Sequence, residues 1–199
     1  MQLNQINIKI YTKETPPPEE FIPVFHSWIQ ESVVEELLID VADYRHAPAG
    51  PGVLLIGHEA NYSIEYGPEE QLGLLYNRKR ESSESSAENL RQGISQALKA
   101  AQRLENDHRL KNKLSFFTGK IRLIMNCRKD APNTEETFQQ LKQKLKNLLN
   151  GLYPNSSYTL KRVSQDSRER LAVEVYSKTG NTVSELLNRM SLKNVAQPS

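Results

Sequence analysis

The chain has 199 residues, 37% of them hydrophobic and 25% charged, which suits an ordinary globular protein with a sizeable core. No stretch approaches the roughly 20 apolar residues of a membrane helix, and the single cysteine, Cys127, excludes an internal disulfide. The net charge of +2 hides a split: residues 1–100 hold 8 Lys+Arg against 15 Asp+Glu, and the remainder 18 against 9, so the halves carry −7 and +9.

In chain order, Ile6, Ile8 and Ile10 alternate like a strand over 6–12. No basic region followed by an apolar run precedes them, so no secretory signal is expected and a reducing, cytoplasmic setting fits. Three prolines, 16–18, lead stiffly into a helix that begins near Glu20. Phe21, Val24, Phe25, Trp28 and Ile29 form its apolar stripe, with His26 at the edge or in solvent.

ELLIDVADY predicts a strand with Leu38 and Asp40 on one side and Leu37, Ile39 and Val41 on the other. RHAPAGPG is a turn. GVLLIGHEANYSIEY is expected as one long strand, with Gly57 marking a bulge or a close backbone approach. LGLLYNRKR is another strand, ending in a basic cluster suited to phosphate or to the acidic loop that follows. Ser85 and Glu88 make a capping box for a helix striped by Leu90, Ile94, Ala97, Leu98, Ala101 and Leu104.

NDHRLKNKL is the expected boundary between units 1–106 and 107–199. TGKIRLIMNCRK is a strand, with Cys127 read as a structural thiol. Asn133 and Glu136 offer a capping box for a helix through Leu152, stopped by Gly151 and Pro154. YTLKRVSQ and RLAVEVYS are strands around a turn at DSRE. TVSELLNRMSL is a helix capped by Thr182 and Glu185, and 194–199 is a frayed tail. The fold class that follows is α+β: two successive β-α-β-β-α units, the first with an extra strand, packed into one body. Their strands form a mixed or antiparallel sheet with helices on one face.

The segment 25–62 concentrates three of the four histidines and the only tryptophan. Its candidate ligand-binding residues are Asp40, Asp43, Tyr44, His46, His58 and Glu59. If two strands pair around PAGPG, Asp40 or Asp43 approaches His58 or Glu59. An imidazole beside a carboxylate then has its tautomer fixed and its basicity raised. His58 and Glu59, adjacent in a strand, are expected on opposite faces. The competing reading is structural: a half-buried histidine with its hydrogen bonds satisfied. No HExxH, CxxC, EF-hand, GxGxxG, GxxxxGK[ST] or GxSxG pattern is present, so no metal, nucleotide or other cofactor is implied by a motif.

FHSWIQESVVEELLIDVADYRHAPAGPGVLLIGHEANYSIEYG, together with LGLLYNRKR, resembles a family of uncharacterised bacterial proteins of cyanobacterial type, over roughly the first 80 residues. The resemblance implies a bacterial cytoplasmic protein and brings no activity or site residues. Three functional classes stand. The first is a non-catalytic binding or assembly protein, self-associating, with a two-fold dimer expected as the commonest symmetry, or with a protein partner, favoured by the opposed charges and by sheet edges that need satisfying. The second is a small enzyme or a ligand- or metal-binding protein at the six residues above. The third is a nucleic-acid binder using the basic second half.

Overall fold

The computed structural model describes residues 2–14, 16–47, 50–67, 70–154, 158–178 and 180–192. Strand β1 (Ile6–Thr12) leads through a single 3-10 turn at Pro18–Glu20 into α1 (Phe21–Glu31). Four strands follow: β2 (Leu38–Asp43), β3 (Val53–Gly57), β4 (Ala60–Tyr66) and β5 (Leu72–Arg78). Helix α2 (Ser86–Asn106) closes the first half. The second half is β6 (Phe116–Met125), α3 (Glu135–Leu152), β7 (Tyr158–Arg162), β8 (Ala172–Ser177) and α4 (Val183–Leu192).

All eight strands lie in one antiparallel sheet of order β2-β3-β4-β5-β1-β6-β8-β7, with the helices on one face, so the α+β class holds. The order reads symmetrically about the β1–β6 pair: β1-β5-β4 on one side, β6-β8-β7 on the other. The β2–β3 hairpin is added outside the first set.

The alternation in β1 explains the layering. Ile6, Ile8 and Ile10 turn to the helices and are fully buried. Gly93 brings α2 down on them, since a Cβ there would lie 2.6 Å from Ile6 Cδ1. Asn7, Lys9 and Tyr11 turn to the helix-free face. There Lys9 pairs with Glu65 at 3.1 Å, and Arg122 of β6 pairs with Glu174 of β8. The segment after α2 is anchored to α1: Arg109 donates to Pro23 O and Ser27 Oγ, and Leu110 and Leu114 are buried.

Three expectations need correction. The stretch 53–66 is two strands, because the chain reverses at His58–Glu59 and Ile56 pairs with Asn61. The first half therefore has two more strands than the second, not one. Leu38 and Asp40 lie on opposite faces, because the register shifts between them: Leu38 pairs with Gly57 and is buried, while Asp40 pairs with Ile56. The cap of α3 is Thr134, whose Oγ1 accepts from Thr137 N at 3.2 Å. Asn133 instead donates to Ser164 O and Asp166 O.

The other two caps form as expected at their hydroxyls. Ser85 accepts from Glu88 N, and Thr182 and Glu185 bond reciprocally, at 3.2 and 2.7 Å. The tail 194–199, and Pro48 and Ala49 of the PAGPG turn, lie outside the described residues.

Candidate functional site

The hairpin β2–β3 forms around 44–52 as expected, and its length separates the candidate residues. Asp43, Tyr44 and His46 sit at one end. Asp43 is bound by Arg45, which also reaches Glu19 at 2.7 Å. Hydrogen bonds from the Arg45 side chain and backbone hold the Asp43 carboxyl at about 2. Tyr44 and His46 are exposed, their rings 6.4 Å apart. Asp40 is exposed on β2 and accepts from the Val41 amide at 2.8 Å. His58 and Glu59 lie at the opposite end from Asp43. Asp40 is nearer, paired with Ile56, but its carboxylate takes the Val41 amide while His58 meets Glu59 and Arg80, so neither Asp40 nor Asp43 joins His58.

His58 and Glu59 meet each other instead, because they form a turn rather than a strand. His58 Nδ1 lies 2.9 Å from Glu59 Oε1, and the Arg80 guanidinium donates to Nε2. These partners place the His58 proton on Nδ1. The turn has no Asn-Gly or Asp-Gly of the kind that ordinarily reverses a hairpin. Its backbone is held by Glu36, whose Oε2 accepts from Glu59 N and Ala60 N, each at 2.9 Å. Lys79 donates to Gly57 O from the other side. Gly57 is required here: a Cβ would lie 2.5 Å from Ala60 O and 2.7 Å from Glu36 Oε2.

Glu59 is also the rim of a cavity of about 320 Å³ between α2 and the strands β4 and β5. Tyr62 and Tyr76 come from neighbouring strands, paired in register with their rings 5.4 Å apart. Gln92, Gln96, Lys99 and Arg103 come from α2 at helical spacing, along one face over about three turns. Arg78 completes the wall, and Glu36 closes the end nearest the turn.

The acidic and basic groups of this cavity are in different states. Glu36 already accepts three hydrogen bonds, the third from Tyr62 Oη at 2.9 Å. Glu59 holds His58 and lies 3.6 Å from Arg80. By contrast, Arg78 is held only by the amide oxygens of Asn89 and Gln92. Among the described residues, Arg78, Lys99 and Arg103 form no ion pair.

Tyr76 is 6% exposed, yet its hydroxyl has no hydrogen-bond partner among the described residues, and it lines the cavity. Burial pushes the Tyr76 hydroxyl up to about 12, with Glu36 and Glu59 adding and Arg78 opposing, so it stays a neutral donor. Tyr62 is raised further, by burial first and then by the Glu36 charge.

Of the six residues singled out in the sequence, only Glu59 reaches this cavity. Arg78 belongs to the basic cluster at the end of LGLLYNRKR read as suited to phosphate, whereas Tyr76, Lys99 and Arg103 were missed. The signal for them was the polar stripe of α2 at 92, 96, 99 and 103, which runs beside the apolar one.

Among the described residues, no group of three or more His, Cys, Asp or Glu is placed to hold a metal ion. The basic residues of the second half are distributed: Arg109 pairs with Asp107, Arg168 with Asp166, and Arg162 lies 3.8 Å from Glu135. Lys142 and Lys146 are exposed along α3. No helix among the described residues is long and apolar enough to cross a membrane. No protein-family model and no curated protein matches the chain.

Proposed function

We propose that this is a non-catalytic, cytoplasmic binding protein that holds a small anion, carrying a carboxylate or a phosphate, in the cavity between α2 and strands β4 and β5. One observation carries the reading: a phenol buried to 6% exposure opens its unpartnered hydroxyl into the cavity beside Lys99 and Arg103. An anion seated there would accept from this hydroxyl, and a hydrogen bond to a charged group contributes roughly 1.5–3 kcal/mol. Glu36 and Glu59 are held by partners while Lys99 and Arg103 hold none among the described residues, which suits an anion; Glu35, exposed on the same lining, is the acidic counterweight. The resemblance to uncharacterised bacterial proteins belongs to the same reading, as does self-association through the sheet edges.

The experiment is calorimetric titration of inorganic phosphate, citrate and a sugar phosphate, with a neutral sugar as control. Anions are expected to bind and the neutral sugar not. Tyr76→Phe and Arg103→Gln should each weaken binding about tenfold or more, since a hydrogen bond to a charged group contributes roughly 1.5–3 kcal/mol. Binding that ignores both substitutions, or no anion binding at millimolar concentration, would overturn the proposal.

A further inference from the structure

Strands β2 and β7 end the sheet, and their chemistry is complementary. At the β2 end, Leu37 is 68% and Ile39 54% exposed; just past β7, Val163 is 40% exposed. Such residues on an edge strand are an invitation to another strand. Val41 of β2 and Leu160 of β7 are partly buried against the two ends of one continuous core. Each turns to the helix side, Val41 paired with buried Leu55 and Leu160 with buried Val175. On the helix-free side β2 carries exposed Asp40 and β7 carries exposed Lys161. The Val41 amide is taken by the carboxylate of its own neighbour Asp40, a local cap in place of a partner strand.

Strand direction permits the match. The sheet alternates antiparallel through eight strands, so β2 and β7 run opposite ways. A second copy placed beside the first continues the alternation, with its helices on the same side. The register that sets Asp40 opposite Lys161 also sets Val41 opposite Leu160, since each pair shares a face.

We infer that copies of this chain join edge to edge, β2 of one to β7 of the next, as one continued antiparallel sheet. The inference rests on the self-association proposed above and names its surface. The contact is head-to-tail, so assembly proceeds to a ring or an open chain, not to a two-fold pair. The charge split then has a purpose: an acidic edge meets a basic one, and two acidic edges repel.

The test is mass by light scattering at high micromolar protein and low salt, with circular dichroism confirming that each variant is folded. The wild type should exceed the monomer mass of 22.7 kDa. Asp40→Lys alone and Lys161→Asp alone should each fall to the monomer. The double variant should recover assembly, as should a mixture of the two single variants, whose reversed edges match only each other. A wild type that stays monomeric at every salt concentration overturns self-association itself. An oligomer broken by Asp40→Lys but indifferent to Lys161→Asp overturns the β2–β7 contact alone, in favour of a two-fold β2–β2 pair. An oligomer indifferent to both places the interface elsewhere and overturns the inference.

Discussion

Removing the carboxylate of Glu36 is the most informative single perturbation of the fold, because one side chain holds a turn 23 residues away in sequence. Its three hydrogen bonds are not equal. The Glu59 amide belongs to an exposed residue and water can replace the carboxylate, so its loss costs close to nothing. The Ala60 amide belongs to a fully buried residue, and leaving it unpaired costs about 1 kcal/mol. The Tyr62 hydroxyl sits on a ring only 2% exposed, and orphaning it costs about 1–3 kcal/mol. Glu36→Ala should therefore destabilise by about 3 kcal/mol, which for a domain of this size lowers Tm by about 6–12 °C. Glu36→Gln keeps an acceptor and should cost about half as much.

The assay is urea unfolding followed by Trp28 fluorescence, since the Trp28 ring packs edge-on to Tyr62 with centroids 6.2 Å apart. Tyr62→Phe provides the control. Without the hydroxyl nothing is orphaned when the carboxylate goes, so Glu36→Ala in that background should cost about 1–2 kcal/mol less. A Glu36→Ala cost below about 0.5 kcal/mol, or strict additivity with Tyr62→Phe, would refute the view that this carboxylate, rather than the local sequence, sets the β3–β4 reversal.

Other expectations follow from the same geometry. Tyr62, Tyr76 and Tyr153 are all raised chiefly by burial, so the folded state holds their protons more tightly than the unfolded one. Their contribution is whole below the unfolded value of about 10 and is lost as pH rises through about 12 for Tyr76; a Tm that stays flat across that range would contradict it. Gly52 has φ +63°, and a Cβ there would lie 2.0 Å from Ile64 O, so Gly52→Ala should destabilise by about 3 kcal/mol or more in the same urea titration. Glu174 is buried with Arg122, and Glu174→Gln should cost roughly 3 kcal/mol; a loss under about 1 kcal/mol would mean that the pair adds little.

The elements legible in the sequence were those specified by their own residues. The apolar stripe of α1, the alternation of β1 and the Thr182–Glu185 box are local patterns, and the structure follows them. The misread elements depend on residues far away. At the reversal the local sequence offers Gly57, whose close backbone approach was legible, but not the reversal itself, because the turn is completed by Glu36 from before β2 and by Lys79 from after β5. The bulge at Ile39 is likewise invisible to a period-two reading, and it alone moves Asp40 off the face of Leu38. The cavity shows the same limit. Its tyrosines are adjacent only because β4 and β5 pair, and its cations only because α2 lies over them.

The sheet order also changes the meaning of the charge split. In sequence, −7 and +9 describe two halves of a chain, a pattern that suits nucleic acid as well as self-association. In space, the strands of the first half run from β1 outward to β2, and those of the second from β6 outward to β7. The split becomes a gradient across the sheet, with Asp40 at one rim and Lys161 at the other. Nucleic acid requires cations gathered along one groove or face. Here Arg109, Arg122 and Arg168 each hold a carboxylate of their own half, exposed Lys142 and Lys146 lie on α3 and Lys161 on β7, and Arg78, Lys99 and Arg103 line a cavity of about 320 Å³, the scale of a small ligand rather than a strand. If Lys99 and Arg103 hold a small anion, Lys99→Glu should abolish phosphate binding and leave the mass of the assembly unchanged, while Lys161→Asp should do the reverse. Both substitutions lowering both readouts together would show that cavity and edge are one coupled site, contrary to their placement on α2 and β7.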